Sequence, residues 1–354
     1  MSNGRVKVGF IGAGTISQLH ELGYHDNKTG ELYAIADSAP GVAQSRKEQW
    51  GAQKAYIDYK DLLADPSVDA VEILLPHHLH LPITLEALSA GKHVSLQKPM
   101  AISMDEGRQI AAAAAGSDKI FRVVENYRTY EPYMRAKAMI EAGDIGDLIT
   151  IRVMMVRGKG KGGIDTPPSA QAWRDDLALG GPAQSILDYG YHITSIVSYF
   201  MGKIDKVNAM SDLDGPEGFT GIPAVISWRH TGGQYGNWNM VAAPNMMVRT
   251  KYYPLDEWIE ITGSRGIIWI NQCTGDLLGK PPVEMYRDGE MRSYSDMETN
   301  WGDSFRVAAH NFTDAIVNGR QPDMDGEEAV HALAFALGAI KSASEGRDVK
   351  LAEL

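Results

Sequence analysis

The sequence holds a single cysteine, Cys273, in 354 residues. One thiol cannot close an intrachain disulfide and cannot supply the cysteine cluster of a structural zinc site. Basic residues are the next shortage. The chain has 34 Lys and Arg against 45 Asp and Glu, a net charge of −11. That balance argues against nucleic acid or an anionic membrane surface as a main partner. No run approaches 18 uninterrupted apolar residues, so no transmembrane helix is expected. The N-terminus runs straight into the first strand, leaving no room for a signal peptide. Together these absences predict a cytoplasmic protein, and the length predicts two domains.

What is present is organised around Val6 to Ser17, VKVGFIGAGTIS. Val6, Val8, Phe10 and Ile11 form a short, mostly apolar run of the kind a buried parallel strand carries. It ends in Gly12-Ala13-Gly14-Thr15-Ile16-Ser17, and Ile16 to Tyr24 reads as a helix. Gly12 permits the tight turn out of the strand, and Gly14 lets backbone approach a pyrophosphate with no Cβ in the way. Ser17 stands where a third small residue is wanted. A glycine pair alone needs no ligand, but here the strand before and the helix after are both in place. Leu32 to Ala36 reads as a second strand with Asp37 at its end, 23 residues beyond Gly14. A carboxylate there suits the adenosine ribose hydroxyls and repels a 2′-phosphate, and Ser38, Ala39 and Pro40 offer no arginine to hold one. The cofactor expected is NAD rather than NADP.

Strand and helix signals alternate through the first third, which predicts an α/β domain with a doubly wound parallel sheet over residues 1–125. After that the pattern changes. Long alternating runs at Leu148–Val156, Lys206–Met210, Val225–Arg229, Gln234–Val241 and Trp258–Thr262 predict a mostly antiparallel open sheet. Asp288-Gly289, between Val283–Arg287 and Met291–Tyr294, is a hairpin signal. Residues 126–354 therefore read as an α+β domain, closed by helices at Phe305–Asn318 and Glu327–Ser344. There is no internal repeat.

Ligands of open α/β sheets bind beyond the carboxyl ends of the strands. The fourth strand ends in Pro76-His77-His78-Leu79-His80. Three histidines suggest zinc, but no further ligands stand at suitable spacing, so no metal is expected and His80 is assigned to the nicotinamide ribose or pyrophosphate. The fifth strand ends in Gln97-Lys98-Pro99. Proline biases Lys98 towards an extended backbone. An ammonium there could hydrogen-bond a substrate hydroxyl and favour the alkoxide character that develops as hydride leaves. Farther on, Asp188 and His192 are spaced i, i+4, which predicts one helix face. A histidine beside a carboxylate is suited to moving a proton near neutral pH, and the same pair is also a common helix support.

Taken in order, these motifs resemble the glucose–fructose oxidoreductase/inositol dehydrogenase (Gfo/Idh/MocA) family of NAD(P)-dependent sugar and cyclitol oxidoreductases. The similarity runs nearly end to end. Pro76 to His80 resembles the family's Pro-Asn-x-x-His, with His77 in place of Asn. Gln97-Lys98-Pro99 resembles its Glu-Lys-Pro, and Asn126-Tyr127-Arg128 followed by Pro132 its Asn-x-Arg segment. Trp173-Arg174, Gly180-Gly181 and Asp188 to His192 match its substrate-domain motif, and the tail from Phe312 through Gly319-Arg320, Pro322 and Ser342–Val349 is also similar.

The resemblance implies cofactor contacts by Gly12, Gly14, Thr15, Ile16, Asp37, Pro76, His77, His80, Gln97, Lys98 and Asn126. It implies that Lys98 bridges cofactor and substrate, that His192 is the general acid/base, and that Asp188 is its partner and a substrate ligand. It places Arg128, Trp173 and Arg174 near the substrate. Gln97 departs from the family's glutamate, dropping a negative charge beside Lys98 while keeping donor and acceptor capacity.

The resulting expectation is an NAD-dependent dehydrogenase that oxidises a secondary ring hydroxyl of a sugar, glycoside or cyclitol. The rival expectations are an NAD-dependent glycosidase or lyase acting by transient ring oxidation, and a non-catalytic NAD or sugar sensor. A homodimer or homotetramer through the second sheet is expected from its uncovered face. One segment is left over: Arg157 to Pro168, RGKGKGGIDTPP, with Arg157, Lys159 and Lys161 opposed only by Asp165. It reads either as a solvated loop or subunit contact, or as a lid that grips an anionic substituent of the sugar.

Overall fold

The computed structural model describes residues 4–159, 164, 167–215 and 219–354. Packing separates two units. One consists of the chain up to Asn126 together with Ala178–Gly180 and Gly302–Val330, and the other of Tyr127–Leu177, Gly181–Trp301 and His331–Leu354.

The first unit is built on β1 (Val6–Ile11), β2 (Gly30–Ala36), β3 (Lys54–Tyr56), β4 (Ala70–Ile73), β5 (His93–Gln97) and β6 (Phe121–Val124). They form one parallel sheet in the order β3-β2-β1-β4-β5-β6. The helices α1 (Ser17–Glu21), α2 (Val42–Trp50), α3 (Tyr59–Ala64), α4 (His80–Ser89) and α5 (Met104–Ala115) connect the strands, so β4 and β6 are buried at every residue. The strand order reverses at β1, and at that reversal open α/β sheets bind their ligands.

The sequence boundary at 125/126 assigns everything after it to the second domain, yet α10 (Asp303–Asn318) packs with the first unit. Phe312 and Ala309 join Val6, Val8, Phe10 and Tyr24 in one buried cluster. Gly23 makes the approach possible, since a Cβ there would lie 2.3 Å from that of Ala309. Asp323, just beyond α10, meets the buried Arg122 of β6 at 3.1 Å. Met324 accepts the backbone N–H of Val123.

The second unit carries α6 (Glu131–Glu141), β7 (Leu148–Lys159), α7 (Pro168–Asp175), α8 (Leu177–Gly180, of which only Leu177 belongs to this unit) and α9 (Tyr191–Met201). The strands β8 (Ile204–Ser211), β9 (Ala224–His230), β10 (Tyr235–Met247), β11 (Leu255–Gly263), β12 (Gly266–Ile270), β13 (Val283–Arg287) and β14 (Glu290–Tyr294) follow. After α10 come α11 (Gly326–Glu345) and β15 (Val349–Lys350). The strands form one mixed sheet in the order β14-β13-β12-β11-β7-β10-β9-β8-β15, antiparallel throughout except where β7 runs beside β10. Strand β9 shows the logic: Ala224, Ile226, Trp228 and His230 are buried and the residues between them are exposed. The open face displays Met210, Val225 and Tyr235. Between β13 and β14, Asp288 and Gly289 both take positive φ, the geometry of a type I′ hairpin. Among the described residues, no helix is long and apolar enough to cross a membrane.

Candidate functional site

Backbone forms most of the cofactor side. Gly12 leaves β1 at φ +97°, and a Cβ there would lie 2.4 Å from the carbonyl oxygen of Leu74, so only glycine fits. Gly14, two residues on, is exposed, and a Cβ there would meet nothing within 4 Å. That open space beside bare backbone is what a pyrophosphate needs. Ser17 is fully buried and donates its hydroxyl to the Gly14 carbonyl, fixing the turn into α1. Asp37 stands at the end of β2, where its carboxylate accepts the N–H of Ala13 at 2.8 Å and that of Ala39 at 2.9 Å. The carboxylate thus lies against the glycine turn, and each of its oxygens keeps a lone pair for a ribose hydroxyl. These residues fit NAD.

Other residues that the resemblance assigns to the cofactor direct polar atoms into the protein. His77 Nδ1 lies 3.0 Å from the carbonyl oxygen of Gly180. His80 is fully buried, with Nδ1 at 2.9 Å from the Pro99 carbonyl and Nε2 at 2.9 Å from that of Leu75. It ties the end of β4 to the segment after β5 through these two backbone contacts. Asn126 donates to the Ser304 hydroxyl at 2.9 Å. Gln97 accepts the Lys98 N–H at 2.7 Å and faces His20 Nε2 with its amide nitrogen at 3.0 Å. Lys98 itself is partly exposed, and its peptide bond to Pro99 is cis. Among the described residues, no three His, Cys, Asp or Glu side chains are grouped to hold a metal ion.

Side chains dominate the second unit's cluster. The expected single helix through Asp188 and His192 is corrected. Ser185–Tyr189 is a π-helical turn, Gly190 follows, and α9 starts at Tyr191. A π turn is wider than an α turn, so the i, i+4 face argument does not carry across it. Asp188 is buried and pairs with Arg174 Nε at 2.8 Å. Burial opposes the Arg174 charge, but the neighbouring Asp188 more than offsets this and holds the guanidinium above its ordinary value. Arg174 also lies 4.2 Å from the Trp173 ring centroid. His192 stacks on Tyr127, with centroids 4.2 Å apart and planes within 3°. Arg128, also expected near substrate, is buried against the same helix: it donates to Ser195 at 3.2 Å and lies over the Tyr199 ring. His192, Ser195 and Tyr199 recur at i, i+3, i+7, so one face of α9 receives Tyr127 and Arg128.

Three members of this cluster were not among the assigned site residues, although Tyr127 lies within a quoted motif and Arg157 opens the basic segment. Tyr127 supports His192 from the middle of the Asn-Tyr-Arg segment. Tyr253 is half-buried and close enough to Tyr189, Arg174 and Asp188 for their charges to act on its hydroxyl, which desolvation first of all pushes up. Arg157 lies over two rings, 4.5 Å from Tyr189 and 4.2 Å from Phe219. Of the remaining basic segment, Lys159 is exposed at the end of β7, and Lys161 and Asp165 lie outside the described residues.

Two families of resemblance converge on this chain. The model of the oxidoreductase family with an NAD-binding Rossmann fold matches residues 6–125, and the model of that family's C-terminal alpha/beta domain matches residues 137–351. The myo-inositol 2-dehydrogenase of Thermotoga maritima is 27% identical over 354 residues, covering 99% of both chains. The levoglucosan dehydrogenase of Pseudarthrobacter phenanthrenivorans is 27% identical over 220 residues, 60% of this chain and 55% of that protein. Among solved structures, a levoglucosan dehydrogenase in complex with NADH and levoglucosan superposes with a TM-score of 0.83 at 20% identity, covering 98% of this chain and 100% of that one. An oxidoreductase from Agrobacterium radiobacter, in complex with NAD+, L-tartaric acid and magnesium, reaches 0.85 at 22% identity, covering 99% of both. The two family models together span most of residues 6–351, and the chain belongs to the Gfo/Idh/MocA oxidoreductase family, with that family's NAD-binding Rossmann fold as its first part.

Proposed function

We propose that this oxidoreductase converts a secondary ring hydroxyl of a sugar, glycoside or cyclitol to the ketone, with Lys98, Asp188 and His192 as its catalytic residues. The observation that carries the reading is a buried carboxylate and a supported imidazole four residues apart in sequence, each fixed by its own partner. Asp188 is ion-paired with Arg174, and the partly exposed His192 ring stacks flat against Tyr127. NAD, when bound by the Gly12–Ile16 turn and Asp37, supplies the hydride acceptor. His192 takes the hydroxyl proton, Lys98 hydrogen-bonds the same oxygen and favours its alkoxide character, and Asp188 orients the substrate. Arg174 acts through Asp188, and Trp173 lines the substrate. The relatives' names, which include dehydrogenases of levoglucosan, myo-inositol and D-glucosides, support a polyhydroxylated ring as substrate.

Arg157 and the lysines that follow it favour an anionic substituent on that ring. The open face of the second sheet, with Met210, Val225 and Tyr235 exposed, supports a homodimer or homotetramer through it. With one buried cysteine and no disulfide, the chemistry suits the cytoplasm.

The test is to mix protein, NAD and a panel of neutral sugars, cyclitols and sugar acids. Growth of the reduced-nicotinamide band with one of them supports the reading. Glycoside cleavage without net NADH would replace it with transient oxidation, and binding without either would make the protein a sensor.

A further inference from the structure

The departure at Gln97 has a structural partner. The backbone N–H of Lys98 donates to Gln97 Oε1 at 2.7 Å. An N–H can only donate, so this contact fixes which end of the amide is oxygen. The amide nitrogen must then face His20 Nε2, 3.0 Å away on α1. That nitrogen also donates, so His20 Nε2 must accept, and the single ring proton sits on Nδ1. Nδ1 faces Glu72 Oε2 on β4, and the other Glu72 oxygen accepts the Tyr24 hydroxyl. Every donor in the chain meets an acceptor. His20, Gln97, Tyr24 and Glu72 are all buried, so no solvent replaces a lost partner.

We propose that His20 is a positioning residue for Lys98, acting through Gln97, and that glutamine at 97 is matched to a neutral His20. A glutamate at 97 would face the imidazole from one side while Glu72 faces it from the other. Two carboxylates then require donors at both ring nitrogens, which only the imidazolium provides. The net charge of the cluster is the same in both cases, and what changes is whether the ring carries a second proton. Glutamine thus supplies by hydrogen bonding what glutamate would need a protonated histidine to supply.

The surroundings of His20 are few. Glu72 and Tyr24 bond as described, and Arg122 of β6 acts electrostatically on both while pairing with Asp323. Glu21, the next residue on α1, is paired with His25. Phe305 of α10 and Phe10 of β1 pack on the ring with centroids at 5.1 and 6.5 Å.

The sign of the pH dependence follows. In the wild type, protonating His20 sets a ring N–H against the Gln97 amide hydrogens, and Gln97 can relieve this only by turning its NH2 onto the Lys98 N–H. Turnover therefore falls on the acid side. In Gln97→Glu the protonated ring is the matched form, so this acid loss is relieved and a loss appears on the alkaline side instead.

The direct test is imidazole 15N NMR on the NAD-loaded protein at neutral pH. The expected spectrum shows His20 with a proton on Nδ1 alone, and imidazolium persisting to higher pH in Gln97→Glu. An Nε2–H tautomer in the wild type, or a His20 titration unchanged by Gln97→Glu, overturns the proposal. This readout needs no substrate, so it stands whether or not the proposed sugar oxidation does. On the best substrate, His20→Phe should lower kcat about tenfold to a hundredfold with KM little changed, as expected for a misplaced catalytic group. His20→Gln, whose Oε1 can accept where Nε2 did, should recover part of that loss. Wild-type kcat in His20→Phe, or no difference between the two variants, rules out the positioning role. If His20→Phe does not fold, His20→Gln and Gln97→Glu decide the matter through their pH profiles.

Discussion

The two units build their candidate sites in opposite ways. In the first, the proposed cofactor turn is largely backbone, and His77, His80, Gln97 and Asn126 make hydrogen bonds within the protein. In the second, the site is made of side chains whose own charges and rings fix them: Arg174 on Asp188, Tyr127 on His192, and Arg157 over Tyr189 and Phe219. The difference matches the tasks. A pyrophosphate is recognised by main-chain shape and asks for glycine, whereas a proton transfer asks for titratable groups in fixed orientations. Mutations in the glycine turn of the first unit should therefore act through space and φ, and those in the second unit's cluster through charge, whereas Lys98 and Asp37 of the first unit also act through charge.

The largest effects test the part played by charge. Lys98→Ala and His192→Ala should each cut turnover by two or more orders of magnitude, about 3 kcal/mol or more in the barrier. NAD affinity measured by titration should survive His192→Ala. Near-normal turnover in that variant would move the proton acceptor elsewhere. Next comes a contrast between neighbours in the glycine turn. Gly12→Ala combines a positive φ with a backbone clash and should cost about 2–3 kcal/mol of stability in denaturant melts. Gly14→Ala has open space around the new Cβ, so stability should stay within about 0.5 kcal/mol while NAD affinity drops. Equal stability losses in the two would erase the distinction.

A smaller change is expected at Asp37. Asp37→Ala should weaken NAD by about tenfold and narrow the preference over NADP, and a wild-type protein that binds NADP more tightly than NAD would contradict this. Smallest of all, replacing Lys159 and Lys161 with alanine should raise the Michaelis constant severalfold for an anionic substrate, and added salt should shrink the effect. A double variant that behaves like wild type at low salt would leave a neutral sugar as the substrate.

The first sheet was legible because its leading strands are short, mostly apolar runs followed by a helix signal, and the strands read at Val6–Ile11 and Leu32–Ala36 appear within a few residues of where they were expected. Gly266–Ile270 escaped because five residues of GIIWI carry no alternation to mark a strand. Helix Pro168–Asp175 escaped because its start lies in a Pro-Pro pair that reads as a turn. At Asp188, composition cannot separate an i→i+5 turn from an i→i+4 one, so both residues were singled out but the turn between them was not foreseen. The link from His20 to Gln97 spans 77 residues, and that from Arg122 to Asp323 spans 201. No local pattern reports such pairs. Gln97 was noticed only as a mismatch, and its explanation lay in a histidine that nothing in the sequence singled out.

The return of residues 302–330 to the first unit sets an order of events at the ribosome. The sheet of the first unit is synthesised first, yet Phe312, which covers Phe10, and Asp323, which neutralises Arg122, emerge only after about 175 intervening residues. At ~5–20 residues per second that is a wait of roughly 9–35 s. During that interval the earliest part of the chain to leave the tunnel holds an uncovered apolar face and a cation without its counter-ion. The second unit, although encoded later, can close most of its sheet before the first is finished. A nascent chain stalled near residue 300 should therefore be protease-sensitive in its N-terminal third, and one released past residue 330 should not.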